Sequence, residues 1–82
     1  MDEQVLLTRI SADPRIFGGK PIVRGMRISV EAVLGQLAQG ATHAEILGDY
    51  PFLEESDILA CLAYAHAVIA GDSLEAVAVT HG

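Results

Sequence analysis

The sequence predicts a mainly α-helical fold: a short N-terminal β-hairpin or pair of short strands, followed by a three-helix unit of the kind that contains a helix-turn-helix. Three observations predict it. β-Branched runs broken by Pro and Gly extend to Ile28, helical periodicity begins at Ser29, and the charge changes sign at the same place. All five cations precede residue 28, whereas residues 31–82 hold eight carboxylates and no Lys or Arg. The chain of 82 residues has no room for a second domain. It divides into an extended basic arm over 1–29, the three-helix unit over 30–71 and a tail over 72–82.

In the arm, Val5-Leu6-Leu7-Thr8-Arg9-Ile10 has the aliphatic and β-branched character of a strand, stopped by Ser11-Ala12-Asp13-Pro14. Gly18-Gly19-Lys20-Pro21 is a second breaker, with Gly18, Gly19 and Pro21 as turn residues. Beyond it, Ile22-Val23-Arg24-Gly25-Met26-Arg27-Ile28 suits short extended structure interrupted at Gly25.

In the helical unit, Val30, Val33, Leu34 and Leu37 fall at i, i+3, i+4 and i+7, with Ser29 as N-cap and Gly40 at C′. Thr42-His43-Ala44-Glu45 fits a capping box opening a short second helix, with Ile46 and Leu47 as its buried pair. Tyr50-Pro51-Phe52-Leu53 forms the tight turn, Pro51 ending the second helix. Glu54, Glu55 and Asp57 sit at the start of the third helix, where the macrodipole favours negative charge. Ile58, Cys61, Leu62, Ala65, Val68 and Ile69 then predict one apolar stripe running to a stop at Gly71. Ser73 to Val79 fits both a short strand and a helix.

Composition narrows the function. With 51% apolar and 20% charged residues, a chain of this size has more apolar surface than it can cover, which predicts a homodimer or a protein partner. No run approaches the roughly 20 apolar residues needed to span a bilayer, and the acidic N-terminus is unlike a signal peptide, so no membrane role and a cytoplasmic location are expected. The lone Cys61 reads as a small buried hydrophobe.

Catalysis, cofactors and metals find little footing. Gly18-Gly19-Lys20 lacks P-loop spacing and is followed by Pro21 rather than a helix start. His43, His66 and His81 have no paired ligand at metal spacing. No nucleophile, base and orienting group stand out as a set, so a non-enzyme without cofactor or metal is expected.

Nucleic-acid binding is the sharper question. In a helix-turn-helix the second helix of the pair enters the major groove N-terminus first, but here that helix opens with Glu54, Glu55 and Asp57. Contacts to DNA therefore fall to Arg9, Arg15, Lys20, Arg24 and Arg27, a set that serves equally as a partner-facing basic surface.

The segments Ile10-Ser11-Ala12-Asp13-Pro14, Gly18-Gly19-Lys20-Pro21-Ile22-Val23-Arg24-Gly25 and Arg27-Ile28 resemble the N-terminal signature of the bacterial domain-of-unknown-function 433 family. The resemblance continues through Gly40, Glu45-Ile46-Leu47, Tyr50-Pro51-Phe52-Leu53, Asp57-Ile58 and Leu62-Ala63-Tyr64-Ala65. It implies a homeodomain-like three-helix fold with a small β element. It also implies an antitoxin-like role beside a PIN-like nuclease toxin, in some members with DNA binding at the pair's own promoter. Two positions depart from the family pattern: Met26 replaces the usual Thr, and Glu54 replaces the Ser or Thr that commonly caps the third helix.

Three functions are thus expected in order: an antitoxin-like, dimeric binding protein; a DNA-binding transcriptional regulator acting through the basic arm; and a dimeric interaction adaptor.

Overall fold

The computed structural model describes residues 2–71. The reading of Ser73 to Val79, and His81, lie outside the described residues. The order is α1 (Glu3–Leu7), β1 (Ile10–Ser11), β2 (Ile22–Val23), α2 (Val30–Ala38), α3 (His43–Asp49) and α4 (Glu55–Gly71). The mainly helical fold with a small antiparallel sheet is as the sequence predicts.

The first element corrects the sequence reading. Glu3–Leu7 is helical, and the strand expected from Val5 shrinks to Ile10–Ser11. Asp2 caps the turn by accepting from the Gln4 amide at 3.3 Å, and the Thr8 hydroxyl closes it on the Val5 carbonyl at 2.6 Å. Leu6 buries itself against Ala60 and Ala63 of α4. A cap plus small residues that admit a close helix contact outweigh the weak β preference of Val5-Leu6-Leu7.

β2 is the middle rib of the arm. It pairs antiparallel with β1 through Ile10↔Val23 and Ser11↔Ile22, and Ile22 makes a bridge to Ser29 on its other side. Between them, Val23 to Met26 turns back with a 2.8 Å bond from the Met26 amide to the Val23 carbonyl. Arg24 and Gly25 both have positive φ, 46° and 71°, as a type I′ turn requires. Gly25 takes that conformation freely; Arg24 does not, and something else must hold it there. Gly18 and Gly19 form the other turn of the arm, followed by Pro21, whose carbonyl accepts from Val30 at the start of α2.

The helices follow their local signals. Ser29 accepts from the Ala32 amide at 3.0 Å. At the far end of α2, Gly40 at φ 95° lets its own amide reach Leu37 and the Ala41 amide reach Gln36, a Schellman motif. Thr42 and Glu45 complete both halves of the capping box. Tyr50 to Leu53 makes the turn into α4, closed by a 2.9 Å backbone bond.

The core joins arm to helices: Val23 and Ile28 pack with Val30, Val33, Ile46, Leu53, Ile58 and Cys61. Burial pushes the Cys61 thiol up to about 12. The single stripe expected on α4 is instead two faces. Ile58 and Cys61 point inward, whereas Leu62, Val68 and Ile69 are exposed.

Candidate functional site

Two features of this frame have functional potential, and both centre on α4. The first is the fate of the arm's cations. Arg24 reaches across from its turn and grips Asp57 with both ends of its fork, Nε to Oδ1 at 3.0 Å and Nη2 to Oδ2 at 2.8 Å. Its Nη2 also donates to the Phe52 carbonyl at 3.1 Å, which ties the β-turn of the arm to the turn before α4. Arg9 adds Nη1 bonds to Asp57 Oδ1 at 3.0 Å and to Glu54 Oε1 at 2.7 Å. The Glu54 amide donates to Asp57 Oδ2 at 2.8 Å. Asp57 thus accepts from two arginines and the helix's own first turn.

The Asp57 side chain is 0% exposed. Burial by itself drives its carboxyl upward, but the Arg24 bonds, the Glu54 amide and Arg9 outweigh that and hold it below the usual carboxylate range. In turn Asp57 raises Arg24, and Glu54 followed by Asp57 raises Arg9. The bidentate grip explains why Arg24 is kept at positive φ: the turn conformation aims its guanidinium at Asp57.

The remaining predicted site residues are scattered. Arg15 folds back on Asp13, two positions earlier in the chain, with Nη2 to Oδ2 at 3.0 Å, and remains 88% exposed. Lys20 pairs with Glu31 at 2.9 Å on the surface. Arg27 makes no ion pair among the described residues. The five cations therefore do not form one patch: Arg9 and Arg24 converge on Asp57, and Arg15, Lys20 and Arg27 remain on the surface of the arm.

The second feature is the outer face of α4. Leu59, Leu62 and Ile69 are 37%, 41% and 63% exposed and fall on one line with Glu55 and His66, at i, i+4, i+7, i+11 and i+14 from Glu55. His43 of α3 contacts Glu55, and Glu3 of α1 contacts His66 at 3.1 Å. An open groove of about 590 Å³ also runs between Phe17 and the outer side of α2 at Ala32 and Gly35. Among the described residues no three His, Cys, Asp or Glu side chains gather as a metal-binding group.

Sequence reasoning missed the role of Asp57, which it explained as a helix-start residue. The signal was present in the charge pattern: a carboxylate beside Ile58 and Cys61 in a unit without Lys or Arg has only the arm from which to draw a counter-charge. The outer stripe was hidden because Leu62 and Ile69 were assigned to the same face as Ile58 and Cys61.

The profile of the DUF433 family, described as a protein of unknown function, matches residues 10–65. No curated protein and no solved structure matches the chain.

Proposed function

The chain belongs to the DUF433 family, and from that premise we propose that it is a non-enzymatic, antitoxin-like binding protein of the cytoplasm whose business is protein contact. The observation that carries this reading is α4: it closes the core with one face and leaves Leu59, Leu62 and Ile69 in line on the other. Scattered exposed Leu and Ile are ordinary on a surface, but a helical stripe of them is what a partner covers. The partner suggested by the family resemblance is a PIN-like nuclease, and a second copy of the chain, held at a surface other than this stripe, is part of the same proposal.

Co-expression of the chain with the product of its neighbouring gene, followed by affinity purification and sedimentation, tests it. The expected result is a defined complex. A chain that purifies alone and never retains that product would overturn the reading.

A DNA-binding regulator remains as a second proposal because Arg15 and Arg27 are exposed on the arm and Arg27 has no carboxylate partner among the described residues. Arg9 and Arg24 do not support it, since phosphate contact would compete with Asp57 and Glu54. A mobility shift with the upstream DNA that disappears in an Arg15→Ala, Lys20→Ala, Arg27→Ala chain would favour this reading.

A further inference from the structure

We propose that the outer face of α4 is the docking surface, and that its occupant is a cationic amphipathic helix. This inference rests on the protein-binding reading and adds to it where the partner sits and what chemistry it carries.

The face is acidic at its N-terminal end, meets a second carboxylate at the level of His66, and is apolar at Leu59, Leu62 and, one turn beyond His66, Ile69. Leu59 and Leu62 lie one turn apart and Ile69 two turns further on. Glu55, in contact with His43, stands at the N-terminal end of the line, and Glu3 reaches the line from α1 at the level of His66. Residues 31–71 contain no Lys or Arg to neutralise these carboxylates. Arg9, the nearest arm cation with a contact here, is turned inward to Asp57 and Glu54.

Charge complementarity selects the occupant. A second copy laid face to face would set carboxylates against carboxylates, with no cation of its own helical unit to meet them. Three partly exposed aliphatic side chains also offer much less than the about 800 Å² per partner of a standard stable interface. Opposite charge must therefore contribute to affinity and orientation. The levels of Glu55 and Glu3 are separated by 11 residues of α4, about 16 Å. The matching helix has an apolar face along Leu59, Leu62 and Ile69 and Lys or Arg about three turns apart at the levels of Glu55 and Glu3, and packs along α4 at a shallow crossing angle.

The probe is a synthetic 18-residue Lys/Leu amphipathic helix, with a Glu/Leu peptide of the same apolar pattern as control. Both are titrated into the full chain and followed by amide chemical shifts. The proposal expects saturable binding of the Lys/Leu peptide alone, with shifts centred on Leu59, Leu62, His66 and Ile69. Glu3→Gln with Glu55→Gln weakens it about fivefold, and Leu62→Ala with Ile69→Ala about tenfold. Glu31→Gln, a carboxylate off this face, leaves it unchanged, and unaltered melting of every variant excludes misfolding as the cause.

Equal binding of the Glu/Leu peptide, or shifts centred on Phe17 and Ala32 instead, overturns the proposal. So does a homodimer dissociated by Leu62→Asp, which would make a second copy the occupant. A contact from residues 72–82 onto Leu62 in the free chain would do the same. A neighbouring-gene product retained by a Leu62→Asp, Ile69→Asp chain sinks this surface and spares the protein-binding function. A wild-type chain that captures no such product sinks the function, whatever the peptide does.

Discussion

The two faces of α4 are built from the same kinds of residue and do opposite things. On the inner face Asp57, Ile58 and Cys61 are buried, and the acid is satisfied by Arg9 and Arg24 from the arm. On the outer face Glu55, Leu59, Leu62 and Ile69 repeat the pattern of an acid leading an aliphatic run, and they are open. The difference is supplied by the neighbours: Val23 of β2, Val30 and Val33 of α2 and Ile46 of α3 pack with the inner face while Arg9 and Arg24 meet its acid, and among the described residues Leu59, Leu62 and Ile69 stay exposed on the outer one. Apolarity alone does not decide which side of a helix is the inside; the neighbour that brings a matching counter-charge does.

The largest contrast is expected in thiol chemistry. Cys61 is fully buried and its thiol is pushed up to about 12, so both access and thiolate fraction are low at neutral pH. Alkylation of the folded chain at Cys61 will be slower by orders of magnitude than in denaturant. A Leu62→Cys, Cys61→Ala chain, one residue further along the helix, will react at nearly the denatured rate. Comparable rates at the two positions would show that the faces are not distinct.

Stability gives the next contrast. Ile58→Ala removes a fully buried side chain from the main cluster and is expected to cost about 3 kcal/mol. Leu62→Ala should stay within about 0.5 kcal/mol. Denaturant unfolding of both measures the difference.

The Asp57 clasp comes third. Asp57→Asn leaves two arginines without their shared carboxylate, but both are partly exposed and can rehydrate, so a loss of about 2 kcal/mol is expected, below that for a fully buried pair. Because the folded carboxyl is held below its ordinary value of 3.8, its contribution is complete at neutral pH. It begins to fall as pH drops toward that value and is lost as pH passes through the lower folded one. The gap between wild type and Asp57→Asn must therefore close in acid. A constant gap would mean that the substitution acts through packing rather than charge. Arg24→Ala should also lower the melting midpoint, because it leaves buried Asp57 with Arg9 and one backbone amide.

These contrasts show why the helical unit was more legible in sequence than the arm, whose antiparallel strand pair was read but whose first helix and clasp on Asp57 were not. Ser29, Gly40 and the Thr42/Glu45 box act on backbone groups within a turn of themselves, so their chemistry can be read locally. Helix α1 depends on Leu6 meeting Ala60 and Ala63, more than fifty positions away, and no local pattern announces that. Arg24 and Asp57 are 33 residues apart, and the sequence suggests a separate role for each, a nucleic-acid or partner contact for Arg24 and a helix-start acid for Asp57. Periodicity found the apolar residues of α4 but merged its two faces, because exposed Leu62 follows buried Cys61 without a polar residue to mark the edge.

The smallest expected effect concerns the peripheral pairs, and it sharpens the comparison by being nearly absent. Arg15 and Asp13 are neighbours in the chain, and Lys20 and Glu31 meet across open surface, where Coulomb attraction is screened and side-chain ordering offsets much of it. Arg15→Ala and Lys20→Ala should leave the melting midpoint unchanged within error at neutral pH, in contrast to Arg24→Ala. A midpoint lowered by either substitution as much as by Arg24→Ala would show that burial at Asp57 is not what distinguishes the clasp. The same neutrality makes the surface cations the proper probes for nucleic acid. Loss of a mobility shift in an Arg15→Ala, Lys20→Ala, Arg27→Ala chain reports on contact, whereas loss after Arg24→Ala would report first on the fold.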